Sequence, residues 1–189
     1  MPQAKTLSPK ELRRVLDYVA TKKHAARNRL MILMTHFSGM RVGEVAALLK
    51  GDVLNSDGTV KDEIRLSAEQ TKGRHARTVF VNEKLRREIA AYLKTIPRRA
   101  DTAHLFATQK RSAFSANTAC QTLNMIYERA GIAGASSHSG RRSFITTLSS
   151  RGVGVRVLAK LAGHRSLASV MPYIDASDDM LRNAVELAG

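Results

Sequence analysis

The sequence predicts a mainly helical α+β domain carrying one small antiparallel sheet. Three observations lead there. Apolar residues recur at i, i+3, i+4 and i+7 over most of the chain, the spacing of helices buried along one stripe. The period falls to two in only one region, between Glu63 and Val81, with Gly73 near its middle. At 189 residues the chain is long enough for one sizeable core, and no repeat or low-complexity linker divides it.

Taken in order, Ser8-Pro9-Lys10-Glu11 has the form of a capping box with proline at the first helical position. Leu12, Val15, Leu16 and Val19 then supply a buried stripe. Leu30, Leu33, Met34 and Phe37 repeat it, and Gly39 is placed to stop this second helix. Arg41 is therefore expected just past a helix end, on a tight turn held by Gly39 and Gly43, with a short third helix over Glu44 to Leu49. Glu63 to Ser67 and Arg77 to Val81 alternate as the strands of a hairpin, with Lys72, Arg74 and His75 at its turn. From Glu83 the helical period returns, and Leu85, Ile89, Tyr92, Leu93 and Ile96 share one stripe. Pro97 and the polar stretch to Lys110 read as a loop, with a short strand at His104 to Phe106. A helix opening near Ser115 carries Cys120, Leu123, Ile126 and Tyr127. After a break over Gly131 to Ser137 come three shorter helices, then a terminal one from about Ser177. Asp178 and Asp179 there favour the positive end of the helix dipole.

Composition narrows the function. Lys and Arg number 31 against 16 Asp and Glu, a formal net charge of +15. A domain this basic is built to meet polyanions, and nucleic acid is the first candidate. Cys120 is the single cysteine, so no disulfide framework is expected and a reducing compartment fits. The longest apolar run, Leu30 to Met34, is far short of a membrane span, and no signal-peptide pattern opens the chain. The expected location is cytoplasmic, on nucleic acid and not on a membrane. No carboxylate cluster, His-x-x-x-His or Walker loop is present, so neither a metal nor a nucleotide cofactor is expected.

The chemistry concentrates between His138 and Asp175. HSGRR stands at 138–142 and LAGHRSLASVMPYID at 161–175. His138 and Arg141 are three apart and share a helical face. His164 follows Gly163 and precedes Ser166, a good N-cap, which places it on a turn between helices. Tyr173 comes nine residues later, directly after Pro172. His, Arg, His and Tyr gathered in a basic chain suggest phosphate chemistry.

H-x-x-R, then G-H, then Tyr nine residues on resembles the catalytic half of the tyrosine recombinases (phage integrases). That family carries a further arginine in a G-[LM]-R-[IV]-[SG]-E box, and Gly39, Met40, Arg41, Val42, Gly43 and Glu44 match it throughout. It also carries a hairpin lysine in a T-K-G motif with a basic residue five positions on, as Thr71, Lys72, Gly73 and Arg77 do. The ordered set of four motifs covers nearly the whole chain. Where the family has a helical DNA-clamping domain ahead of this region, the chain has none before Lys5. The expectation is therefore a single catalytic domain over 1–189.

The resemblance implies a role for each residue, and ordinary chemistry supplies a reason. Tyr173 would be the nucleophile. A tyrosine near pKa 10 is about 4 kcal/mol short of a phenolate at pH 7, so neighbouring cations or a base must help it. Arg41 and Arg141 would bracket the scissile phosphate, because two planar guanidinium forks suit the non-bridging oxygens of a five-coordinate phosphorus. Glu44 would orient Arg41. Lys72 would protonate the leaving 5′ oxygen, a transfer for which arginine holds its proton too tightly. His138 would accept the tyrosine proton, and His164 would hydrogen-bond a phosphate oxygen or the nucleophile. His24, His36, His75 and His104 read as structural. Arg74, Arg77, Arg142 and Arg165 are expected on the DNA backbone.

The implied activity is site-specific recombination of double-stranded DNA through a 3′-phosphotyrosyl intermediate, by integration, excision or inversion. The alternatives are a type IB topoisomerase-like strand transferase and a non-catalytic DNA-binding regulator. A decayed binder should have lost one of the six catalytic residues, and none is missing. The chain is expected as a monomer in solution and a homo-oligomer, a tetramer, on DNA. Leu181, Ala184, Val185 and Ala188 put an apolar stripe on a tail helix (177–189) too short to be stable alone. It should pack on its own domain or dock on a neighbouring protomer.

Overall fold

The computed structural model describes residues 3–97, 100–108, 113–164, 166–174, 181–182 and 185–186. Helix α1 (Pro9–Ala20) starts at the expected capping box. The Glu11 amide donates to Ser8 Oγ at 3.2 Å, and the Ser8 amide donates to Glu11 Oε2 at 2.9 Å. Leu12, Val15 and Val19 are buried, each worth about 1.5–3 kcal/mol when fully withdrawn from water. Helix α2 (Ala25–Ser38) is central, packed by α1, α5 (Glu83–Leu93) and α7 (Ser139–Ser149). A helix covered on several sides has no solvent face to keep polar, which is why Leu30 to Met34 are all apolar and all buried.

The end of α2 sets the site. Gly39 caps it in the left-handed region at φ +66°, and a Cβ there would lie 2.5 Å from Phe144 Cδ1 of α7. Glycine is required by the backbone and again by the ring packed on it. At the same junction a Cβ on Gly140 would stand 2.1 Å from Thr35 Oγ1. So α7 rides directly on the C-terminal end of α2, and this brings Arg141 beside Gly39.

Helix α3 (Val42–Ala47) begins earlier than expected, with Arg41 as its N-cap, and α4 (Lys50–Val53) follows as a separate turn. Glu44 accounts for the shift. Its Oε2 accepts from the Arg41 amide at 2.8 Å, closing the helix from its third position although arginine is not a usual cap.

Strands β1 (Glu63–Leu66) and β2 (Arg77–Phe80) pair antiparallel, Glu63 opposite Phe80 and Leu66 opposite Arg77. Ile64 and Val79 face each other and are buried, as the alternation requires. The connection is a long loop over 67–76, tied by Thr71, whose Oγ1 donates to the His75 carbonyl at 2.9 Å and accepts from the His75 amide at 3.0 Å. The strand expected at His104 to Phe106 is only a bridge from His104 to Leu49. Its partner segment turns at once into α4, so the ladder cannot extend.

Asn82 caps α5 and Ser115 caps α6 (Ala116–Arg129). Beyond α7, helix α8 (Val155–Ala162) builds a second, smaller core from Ile145, Leu158, Ala159, Ala162 and Val170, with Tyr173 packed at its edge. Two single 3₁₀ turns follow, Leu167–Ser169 and Met171–Tyr173. Tyr173 therefore closes a short turn and does not open a helix; Pro172 supplies the fixed φ that such a turn accepts. Of the terminal helix, Leu181, Arg182, Val185 and Glu186 are described as helical, with Leu181 and Val185 exposed. Its expected start at Ser177 to Asp179 lies outside the described residues, as do Ala184, Ala188 and Arg165.

Candidate active site

Three chain turns converge on one cleft of about 870 Å³, whose walls include Arg41, Lys72, Arg77 and His164. Its foundation is Glu44, whose side chain is 1% exposed. Glu44 Oε1 accepts from Arg41 Nη1 at 3.0 Å and Arg77 Nε at 3.2 Å; Oε2 accepts from Arg77 Nη2 at 2.7 Å. Burial alone would raise this carboxyl's pKa. The bonds and charges of Arg77, then those of Arg41, outweigh it and hold Glu44 below its ordinary range.

Both expected phosphate-binding arginines are braced against glycine carbonyls at helix ends. Arg41 Nη2 donates to Gly163 O at 3.3 Å, and Arg141 Nη1 donates to Gly39 O at 2.6 Å. These caps in α2 and α8 leave carbonyls without helical partners, and the guanidiniums take them up. Gly163 lies at φ +66°, and a Cβ on it would meet Arg77 Cδ at 2.6 Å, so Arg77 is stacked on the turn that carries His164.

Arg141 is nearly buried and its Nη2 lies 2.9 Å from His164 Nε2. A guanidinium can only donate, so Nε2 must accept and the proton of His164 sits on Nδ1. Burial, then the charges of Arg141, Arg41 and Arg77, push His164 down to about 4, which keeps it neutral at pH 7. Burial and Arg41 lower Arg141 to about 9, still fully cationic at neutral pH. His138 takes the N-cap position of α7, and burial followed by Arg141, Lys72 and Arg41 lowers its pKa. Tyr173 stands beside His164, with ring centroids 6.2 Å apart.

The remaining arginines are placed less simply than the sequence suggested. Arg74 is exposed on the hairpin loop. Arg77, expected on DNA, is only 12% exposed and commits its donors to Glu44 and to the Leu161 carbonyl, Nη1 to O at 3.0 Å. No local signal marks this, since Glu44 is 33 residues away in sequence. Arg142, also expected on DNA, turns to the N-terminal segment and lies over the Tyr173 ring, its Cζ 5.3 Å from the centroid. Among the described residues no group of three or more His, Cys, Asp or Glu side chains could hold a metal. None of the described helices is long and apolar enough to cross a membrane.

A buried carboxylate shared by two guanidiniums, a third guanidinium bonded to a neutral histidine, and a tyrosine beside that histidine thus meet at one place in a fold of the integrase type. The chain belongs to the phage integrase family, whose model matches residues 5–180. The tyrosine recombinase XerA of Pyrococcus furiosus is 29% identical over 187 residues, 97% of this chain and 62% of that protein. The chain thus spans under two thirds of that relative. A crystal structure of XerA recombinase superposes with a TM-score of 0.75 at 23% identity, covering 100% of this chain and 66% of the other. XerH site-specific recombinase, solved on its difH substrate before cleavage, superposes at 0.67 with 26% identity, covering 95% and 53%.

Proposed function

We propose that this domain cleaves and rejoins double-stranded DNA through a covalent 3′-phosphotyrosyl intermediate, as the catalytic part of a site-specific recombinase. One observation carries the reading: Arg41 and Arg77 share the single carboxylate of Glu44 while a third guanidinium, Arg141, bonds His164 beside Tyr173, so the site is short of negative charge in the way that a phosphodiester would supply. The Tn1549 transposon integrase, solved in complex with transposon right end DNA, and XerH, solved bound to its difH substrate, support DNA as the partner.

Tyr173 Oη attacks phosphorus and its proton passes to His138. Arg41 and Arg141 meet the two non-bridging oxygens as charge develops there, and the Nδ1–H of His164 is a further donor. Preorganised donors of this kind are each worth about 10²–10³ in rate. The bond to the 5′ oxygen breaks as Lys72 protonates it. Rejoining reverses the step: a 5′ hydroxyl attacks the phosphotyrosine and Tyr173 Oη leaves. The phosphotyrosyl link conserves the bond energy, so no nucleotide is consumed. Two duplexes present four strands to exchange, which is why four copies would assemble on DNA, with the 177–189 tail as the element that docks between them.

Incubation with nicked suicide duplexes tests this. The expected product is protein joined to a 3′ phosphate, with a free 5′ hydroxyl on the partner fragment. Adduct formation should survive excess chelator, because the guanidiniums take the charge-neutralising role that a metal plays elsewhere. Absence of adduct on every duplex bound would refute the reading in favour of a non-catalytic binder.

Binding itself should be strongly salt-dependent. If about five phosphates are neutralised, log K should fall against log salt with a slope of roughly −4 to −5. A slope near zero, measured by titration of labelled duplex between low and physiological salt, would remove the charge of +15 from the argument.

A further inference from the structure

Arg142 does something that the recombinase reading does not use. Its Nε donates to Thr6 Oγ1 at 3.1 Å and its Nη1 donates to Gln3 Oε1. The segment that supplies these acceptors is itself fixed to the domain on either side of Arg142. The Leu7 amide donates to Ser143 Oγ at 2.8 Å, one residue beyond Arg142, and the Lys5 amide donates to the Gly134 carbonyl at 3.0 Å. Leu7 is buried. With two edges of the guanidinium committed in this way, its plane is set, and a face is left to lie over an aromatic ring. That ring is Tyr173, 5.3 Å away, which also contacts His164. Its backbone offers little constraint of its own, being the last residue of a single 3₁₀ turn at the edge of the small core.

We propose that Arg142 is a positioning residue that sets the ring of Tyr173, and that the segment Gln3 to Leu7 holds Arg142 in that setting. The N-terminal segment and the nucleophile are then mechanically linked, although about 170 residues separate them in sequence. A displacement of Gln3 and Thr6 releases the guanidinium, and the tyrosine ring loses Arg142 as a neighbour. The functional consequence rests on Tyr173 being the nucleophile, but the link itself does not.

The test therefore begins without DNA. Protein labelled with ring-¹³C tyrosine gives signals for four tyrosines, and the one lost in Tyr173→Phe identifies Tyr173. In Arg142→Gln the Tyr173 signal should move while those of Tyr18, Tyr92 and Tyr127 stay in place, which also shows that the fold is intact. Arg142→Lys keeps a cation near the ring but cannot bridge both acceptors, and should move the signal by less than half as much. The double variant Gln3→Ala, Thr6→Val, which leaves Arg142 untouched, should move it in the same direction as Arg142→Gln. On any duplex where wild type forms adduct, Arg142→Gln should slow adduct formation at saturating DNA about threefold to tenfold, with the half-saturating concentration little changed. An unmoved Tyr173 signal in a folded Arg142→Gln protein overturns the proposal, whatever the outcome with DNA. An unmoved signal in the double variant overturns the link to the N-terminal segment.

Discussion

Tyr173→Phe is expected to abolish covalent attachment to a nicked duplex while leaving DNA affinity within a few-fold of wild type. The substitution removes one oxygen and keeps the ring that packs at the edge of the small core and lies beside His164 and Arg142. Neither Arg41, Arg141 nor Glu44 depends on the hydroxyl in any hydrogen bond of the site, so the phosphate cage should stay assembled. No other tyrosine is placed to substitute. Tyr92 is buried and donates its hydroxyl to the Leu105 carbonyl at 3.1 Å. Tyr127 is fully buried, and that burial raises its pKa well above the ordinary tyrosine value. Tyr18 lies on α1 with Lys22 over its ring, in a separate cleft lined by α1, α2 and α6. The measurement is a denaturing gel of end-labelled suicide duplex after incubation with each protein, together with a binding titration. An adduct in the Phe variant would assign the nucleophile elsewhere and undo the mechanism.

The parts of this molecule that were legible in the sequence are those whose causes lie a few residues apart. Ser8 and Glu11 announce a helix start because capping is a local exchange of two hydrogen bonds. Gly39 announces a helix stop because a left-handed cap favours glycine at that one position. The alternation around Ile64 and Val79 gives the sheet because the side-chain period is local too. The site is different. Arg41, Lys72, His164 and Tyr173 were nameable by motif, yet the contacts that place them span the chain: Arg41 to Gly163 over 122 residues, Arg141 to Gly39 over 102. The internal bonds of Arg77 and Arg142 share this cause. A basic residue reads as a surface charge unless its acceptor is known, and the acceptors of Arg77 and Arg142 belong to other elements. The boundary of α3 was displaced for a related reason, since the carboxylate that closes it also serves as the counter-ion of the site.

Glu44 is consequently the position where a single substitution should harm both fold and chemistry. Glu44→Ala removes the only carboxylate paired with Arg77 among the described residues, a side chain 12% exposed, and leaves that cation buried with no counter-charge among them. Breaking a buried pair by removing one partner costs about 3–5 kcal/mol. For a chain of this size each kcal/mol lowers the melting temperature by roughly 2–4 °C, so a fall of roughly 6–20 °C is expected. Glu44→Gln keeps the shape but turns one acceptor into a donor facing a guanidinium, so it should recover little. Adduct formation should fall by about 10²–10³, the loss typical of one displaced donor, because Arg41 loses the bond that aims it. Acid should mimic the substitution. The Glu44 carboxyl lies below its ordinary value of 4.5 in the folded chain, so its contribution is complete above that pH and is lost as the pH falls through the lowered folded value. His164 adds a second acid-sensitive step. Its folded value is about 4 against an ordinary 6.5, so between these the unfolded chain binds a proton that the folded one does not, and stability declines as pH falls. Thermal melts of wild type and Glu44→Ala from pH 7.5 to 3.5 separate the two. The variant should retain the decline beginning near 6.5, which His164 shares with buried His36, and show a shallower one than wild type below 4.5, where Glu11 and Glu88 still contribute. A variant that melts within about 2 °C of wild type at pH 7.5, against the roughly 6–20 °C expected, would show that Arg41 and Arg77 are held by the Gly163 and Leu161 carbonyls alone.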